Sequence, residues 1–134
     1  MADPEWLEFD SVVSLHDRSL ALHGGAEGIR DPGLLESALA RPQNRFAYDA
    51  VEDIAELAAT YAAAISANHP FADGNKRAAF QAALLFLRLN GYRLQADREE
   101  AAAAIYSLAA GELDIPTLAA WIRARWVPTP PPAL

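Results

Sequence analysis

The run from Asn75 to Leu89, NKRAAFQAALLFLRL, constrains this chain more than any other stretch. Ala78, Ala79, Phe80, Ala82, Ala83, Leu84, Leu85, Phe86, Leu87 and Leu89 cover nearly every side of a helical wheel. A helix that is apolar all round belongs in the interior of a protein or a membrane. This one is broken by Gln81 and closed by Arg88, well short of the roughly 20 apolar residues that span a bilayer. The pattern therefore predicts a buried central helix over about 75–89, with other helices wrapped around it.

The remaining sequence supplies those helices. FDSVVSLHDRSLALHGG predicts a helix over about 10–22, with Asp10 as its N-cap and Gly24 and Gly25 as its stop. Asp31 caps a second helix with Pro32 at its first position; Leu34, Leu35, Ala38 and Leu39 form its buried face, and Pro42 is expected to end it. Residues 41–50, RPQNRFAYDA, show no clean period and read as an irregular loop or a small hairpin over a neighbouring site. From Glu52 to about Ala67, acids occupy the first turn and Ile54, Leu57, Ala58, Tyr61 and Ile65 recur at helical spacing. Asn90 and Gly91 end the central helix, YRLQAD reads as a brief extended segment, and Asp97 caps REEAAAAIYSLAA. A last helix, PTLAAWIRARW, turns Leu118, Trp121 and Ile122 inward. The expectation is an all-α fold: one compact domain over 1–126, with about six helices around a buried central helix, and a disordered or loosely packed proline-rich tail over 127–134.

Charge and composition exclude several functions. The 134 residues carry a net charge of −7, which opposes a nucleic-acid polyanion, so no direct nucleic-acid binding is expected. The absence of cysteine removes disulfides, thiolate metal sites and a cysteine nucleophile. The acidic start MADPEWLEFD is unlike a signal peptide. A soluble, cytoplasmic protein without a membrane partner is expected.

Lys76 is the one lysine in the chain, and it stands beside Arg77 where the central helix begins. That end of a helix already carries about half a positive charge and several unpaired N–H groups, so it disfavours cations and favours an anion. A phosphate chain would reverse the penalty. Gly74 lets backbone approach such a ligand closely, and Asn75 can donate its amide to a phosphate oxygen. Asp73 would oppose bare phosphate, but suits Mg²⁺ bridging phosphate oxygens. His69 titrates near neutrality and can take a proton from a hydroxyl. The competing reading is that a polar loop before a helix holds such residues for turn and capping reasons, with Lys76 and Arg77 reaching solvent or pairing with acids such as Asp73. Phe71 reads as a packing anchor without chemistry.

His69 to Arg77, HPFADGNKR, resembles the signature of the Fic/Doc family in its Doc (death-on-curing toxin) form, His-x-Phe-x-Asp-(Gly/Ala)-Asn-Lys-Arg, without a gap. GGAEGIRDPGLLESALARPQNRFAY upstream and FLRLNGYRL downstream are also similar to Doc proteins. The resemblance implies a small α-helical Fic fold and the toxin half of a type II toxin–antitoxin pair. Fic proteins proper transfer AMP from ATP to a target hydroxyl, and their motif has a glycine and an arginine where this chain has Lys76 and Phe80. The Doc form implies a reversed nucleotide and transfer of the γ-phosphate to a threonine of translation elongation factor Tu, stopping translation. By the same resemblance His69 is the general base, Asp73 holds or orients Mg²⁺, and Gly74, Asn75, Lys76 and Arg77 cradle the ATP phosphates. Residues 41–50 match the target-docking flap of Fic folds in position.

Two alternatives accompany the kinase reading: an AMP transferase of the same fold, and a non-catalytic module that binds an antitoxin and tunes repression. No serine or threonine stands four places before a glutamate in a setting suited to the inhibitory helix of many Fic proteins, so restraint is expected from a separate cognate antitoxin docking in an apolar groove. Trp6, Trp121 and Trp126 are candidate groove walls, each read first as core. His16 and His23, seven apart and near Asp17, lack a convergent third ligand and read as structural histidines rather than a metal site. The cluster DREE at 97–100 reads as a solvated first turn, and Arg30 with Asp31 as capping and turn chemistry.

Overall fold

The protein is described by a computed structural model, over residues 3–130. Aspartates open four of its helices. Asp31, Asp53, Asp97 and Asp114 each accept a backbone N–H three residues ahead, at the starts of α2 (Pro32–Asp49), α3 (Ile54–Asn68), α5 (Arg98–Ala109) and α6 (Ile115–Arg123). Such caps satisfy donors that a helix leaves unpaired, and each is worth about 1 kcal/mol. Two helices lack one: α1 (Phe9–His23), whose cap position is Glu8 rather than the expected Asp10, and α4 (Asn75–Leu89), which starts from Gly74.

The helix at the centre is α3, not α4. Ala55, Leu57, Ala58, Ala59, Tyr61, Ala62, Ala64 and Ile65 are all buried on it, and it touches α2, α4, α5 and α6. Its alanines let four neighbours approach closely. α4 packs beside it through Ala79, Ala82, Phe86 and Leu87, while Phe80, Leu84, Leu85 and Leu89 are only half-buried. The architecture remains an all-α, six-helix arrangement around a buried helix.

Pro42 does not end α2, which runs on to Asp49, so the loop or hairpin expected over 41–50 is helix and only its last residue, Ala50, lies outside. A proline inside a helix lacks the N–H that would bond four residues back. Tertiary contacts compensate for that loss. Pro42 is fully buried, Arg45 donates to Thr60 Oγ1 at 2.6 Å and to Glu56 Oε2 at 3.2 Å, and Phe46 meets Trp6 edge-on at 5.5 Å.

Two short strands complete the fold. β1 (Tyr92–Leu94) pairs antiparallel with β2 (Trp126–Pro128), with Tyr92 opposite Pro128 and Leu94 opposite Trp126. The segment expected as a tail thus begins within a strand, and Trp126 stacks on Tyr92 with centroids 3.8 Å apart. Residues 131–134 of that segment lie outside the described residues. At the same corner Asn90 exchanges hydrogen bonds with the backbone of Glu5, and the Thr129 N–H donates to the Gly91 carbonyl. No helix among the described residues is long and apolar enough to cross a membrane.

Candidate active site

Residues 69–74 join the end of α3 to the start of α4, and the chain just after α1 holds them down. Arg30 and Asp31 donate their N–H groups to the Pro70 carbonyl at 2.8 and 3.1 Å, Ala72 donates to Gly28 at 3.1 Å, and Ile29 bridges Phe71. The Arg30 guanidinium reaches the carbonyls of His69 and Asn68 at 2.8 and 3.0 Å. A cation there satisfies carbonyls that a helix end leaves bare and meets the negative end of its dipole. Arg30 and Asp31 therefore act as capping groups for α3 and α2.

His69 closes α3 in the left-handed conformation, φ 48°, uncommon for a residue other than glycine. Its side chain is exposed and lines a cavity of about 880 Å³. Asp73, Gly74, Asn75, Lys76 and Arg77 line the same cavity, so the six residues singled out in sequence share one surface. Tyr106, Ile105 and Ala102 of α5 form a facing wall, with Gly24 and Gly25 at the end of α1.

Each group in the loop is held differently. Gly74 has φ 74°, and a Cβ there would sit 3.6 Å from His16 Nε2. Asn75 closes the loop on itself: its Oδ1 accepts from Phe71 N at 2.9 Å, and its Nδ2 donates to Phe71 O at 3.0 Å. These two bonds fix the amide and engage one of its two N–H protons; the other is left for a ligand. Phe71 is buried as anticipated, and His16 stacks on it. Asp73 accepts from Gly74 N at 2.8 Å through Oδ1 and from Ala26 N at 3.4 Å through Oδ2. Lys76 and Arg77 are exposed; Lys76 Nζ lies over the Tyr106 ring, 4.6 Å from its centroid. No side chain caps α4, so its first N–H groups open toward a cavity edged by two cations. Uncapped amides beside two cations are an arrangement that favours an anion.

Residues 6–87 match the Fic/DOC family. The chain belongs to that family. It is 39% identical over 114 residues to "Protein kinase doc" of Escherichia phage P1, a match covering 85% of this chain and 90% of that protein. It is 40% identical over 94 residues to "Toxin Doc" of Mycolicibacterium smegmatis (strain ATCC 700084 / mc(2)155), covering 69% and 70%.

A magnesium ion would fit this site only with most of its ligands supplied by a bound phosphate and water. Among the described residues no three His, Asp or Glu side chains converge to hold a metal unaided. One exposed carboxylate, Asp73, beside amides that favour an anion is the donor set expected for Mg²⁺ that keeps phosphate and water as its other ligands. His16 and His23 do not form a metal site; His16 is buried and bonded to the Asp73 carbonyl at 2.7 Å, while His23 is exposed. Each tryptophan has a partner within the chain: Trp6 stacks on Phe86, Trp126 on Tyr92, and Arg125 lies over Trp121.

Sequence reasoning missed Tyr106 and Gly25. Ala102, Ile105 and Tyr106 follow helical spacing, which marks one face of α5 but not what that face meets. Gly25 stands in sequence as a helix stop, and its closeness to Asp73 emerges only with the folded backbone.

Proposed function

We propose that this chain is a Doc-type toxin kinase that transfers the γ-phosphate of ATP to a threonine hydroxyl of elongation factor Tu, arresting translation until a cognate antitoxin binds. The observation that carries the reading is the uncapped start of α4, bordered by Lys76 and Arg77 and sharing a cavity with His69. The relatives' names, "Protein kinase doc" and "Toxin Doc", support kinase chemistry and the toxin role.

In this reading Gly74, Asn75, Lys76 and Arg77, with the first α4 amides, receive the phosphates. Asp73 holds a nucleotide-borne Mg²⁺, which would neutralise charge on the phosphate oxygens. His69, its main chain fixed by Arg30, takes the proton of the incoming hydroxyl. The hydroxyl oxygen bonds to the γ-phosphorus as the bond to the β–γ bridging oxygen breaks, and ADP leaves. Positioning and charge neutralisation account for most catalysis of this kind, so few groups suffice. Lys76 stands where an AMP transferase has glycine, and its bulk and charge favour the reversed donor.

Intact mass of elongation factor Tu after incubation with the protein, Mg²⁺ and ATP tests this. A gain of about 80 Da that disappears with His69→Ala supports the kinase and the base together. A gain of about 329 Da would assign AMP transfer instead, and no gain would favour another target or the binding module.

A further inference from the structure

Asp73 is held by all three of its oxygens. Its Oδ1 accepts from Gly74 N at 2.8 Å, its Oδ2 from Ala26 N at 3.4 Å, and its carbonyl from His16 Nε2 at 2.7 Å. Two of these donors belong to α1 or the turn that follows it. Although Lys76 and Arg77 lie close along the chain, Asp73 is in none of the ion pairs among the described residues. Each carboxylate oxygen keeps a lone pair after its one backbone bond. The carboxylate is therefore oriented without a cation, on a surface that lines the cavity.

The residue against which it is oriented is Gly25. Its φ of +124° is a conformation that side chains rarely adopt, and an added Cβ would lie 2.9 Å from Asp73 Oδ2, 3.1 Å from Leu20 Cδ2 and 3.4 Å from Asp73 Cγ. Asp73 is too short to yield without losing the Ala26 or Gly74 bond. Gly28, in the same connection, also has positive φ, +99°, but a Cβ there would meet nothing within 4 Å. The turn therefore offers one glycine needed for backbone shape and another needed for backbone shape and for Asp73.

We propose that the Gly25–Ala26 turn positions the Asp73 carboxylate for a nucleotide-borne divalent cation, making Gly25 a positioning residue for metal–nucleotide binding. The inference rests on the kinase reading of the cavity. The Gly74 and Ala26 N–H groups hold the Asp73 carboxylate in this orientation, so binding costs less reordering of that side chain.

Calorimetric titration of the full chain with Mn²⁺·ATP and Mg²⁺·ATP tests it. Gly25→Ala is expected to weaken binding about tenfold or more, the range seen when a group orienting a metal ligand is lost, while Gly28→Ala stays within about twofold. In an Asp73→Asn background Gly25→Ala should change nothing further, because its effect runs through that carboxylate. Ala26→Pro, which replaces the amide donor with a ring methylene facing Asp73 Oδ2, should weaken binding in the same direction and serves if Gly25→Ala does not fold. Undiminished binding by Gly25→Ala, an equal loss in Gly28→Ala, or a loss that persists in the Asp73→Asn background overturns the proposal. Wild-type protein that binds neither complex overturns the nucleotide reading and this inference with it, whereas wild-type binding with an indifferent Gly25→Ala removes the inference alone.

Discussion

His16 lies face to face with Phe71, ring centroids 3.8 Å apart and planes within 8°, and its Nε2 meets the Asp73 carbonyl at 2.7 Å. A carbonyl only accepts, so Nε2 is the donor in this contact. A helix before the loop and an aromatic within it are thus joined in one buried contact. His16→Ala should lower stability by about 2–4 kcal/mol, from lost packing and a lost hydrogen bond. Urea unfolding measures it, and amide exchange over residues 71–74 should quicken more than elsewhere.

Lys76 rests on the Tyr106 ring at 4.6 Å, and Tyr106 is 56% exposed. Cation–π contacts at such sites are worth about 0.5–1 kcal/mol. Tyr106→Leu should raise the KM for ATP about two- to fivefold, while Tyr106→Phe, which keeps the ring, should leave it unchanged. Steady-state kinetics with varied ATP separates the two.

Lys76→Gly restores the glycine of the AMP-transferase pattern. Transfer of label from γ-labelled ATP should fall about tenfold or more, because a charge beside the phosphates is lost. Undiminished transfer would mean that the lysine does not set donor orientation. Parallel assays with α-labelled ATP show whether AMP transfer appears in its place.

Tyr61 is buried on α3, and burial pushes its phenol from 10.0 up to about 12, partly offset by the Leu7 N–H donated to its oxygen. The folded chain keeps this proton after the unfolded chain has lost it. Stability from this group is therefore full below pH 10 and falls as pH rises toward about 12, by about 3 kcal/mol in all. Denaturant midpoints across that window, compared with Tyr61→Phe, isolate the effect. The variant should show a shallower decline.

Much of this architecture is legible in the chain because capping is local. Asp31 and Asp97 read as caps just before their helices, Asp53 and Asp114 hold the same position without being singled out, and the limits of α4 follow from Gly74 and Asn90. What the sequence hides depends on partners distant along the chain. Pro42 reads as a stop because the anchoring of Arg45 to Glu56 and Thr60 is invisible until α2 and α3 are docked. The alanines of α3 understate its burial, since small side chains signal close approach only once the approaching helices are known. β1 and β2 are three residues each and find one another across more than thirty positions of sequence. Within the site, His69 to Arg77 are contiguous and readable as a group, whereas Asn75 bonding to Phe71, Gly25 meeting Asp73 and Tyr106 meeting Lys76 require the folded backbone.

The corner where Glu5, Asn90 and Thr129 meet lies at the opposite end of α4 from Gly74. Fifteen helical residues separate the two, a span of about 22 Å at 1.5 Å per residue. Reporter dyes attached at positions 5 and 129 would therefore sit close to one another and far from the phosphate end. Their energy transfer would follow the integrity of the corner during titrations with nucleotide, leaving the cavity unobstructed for ligand.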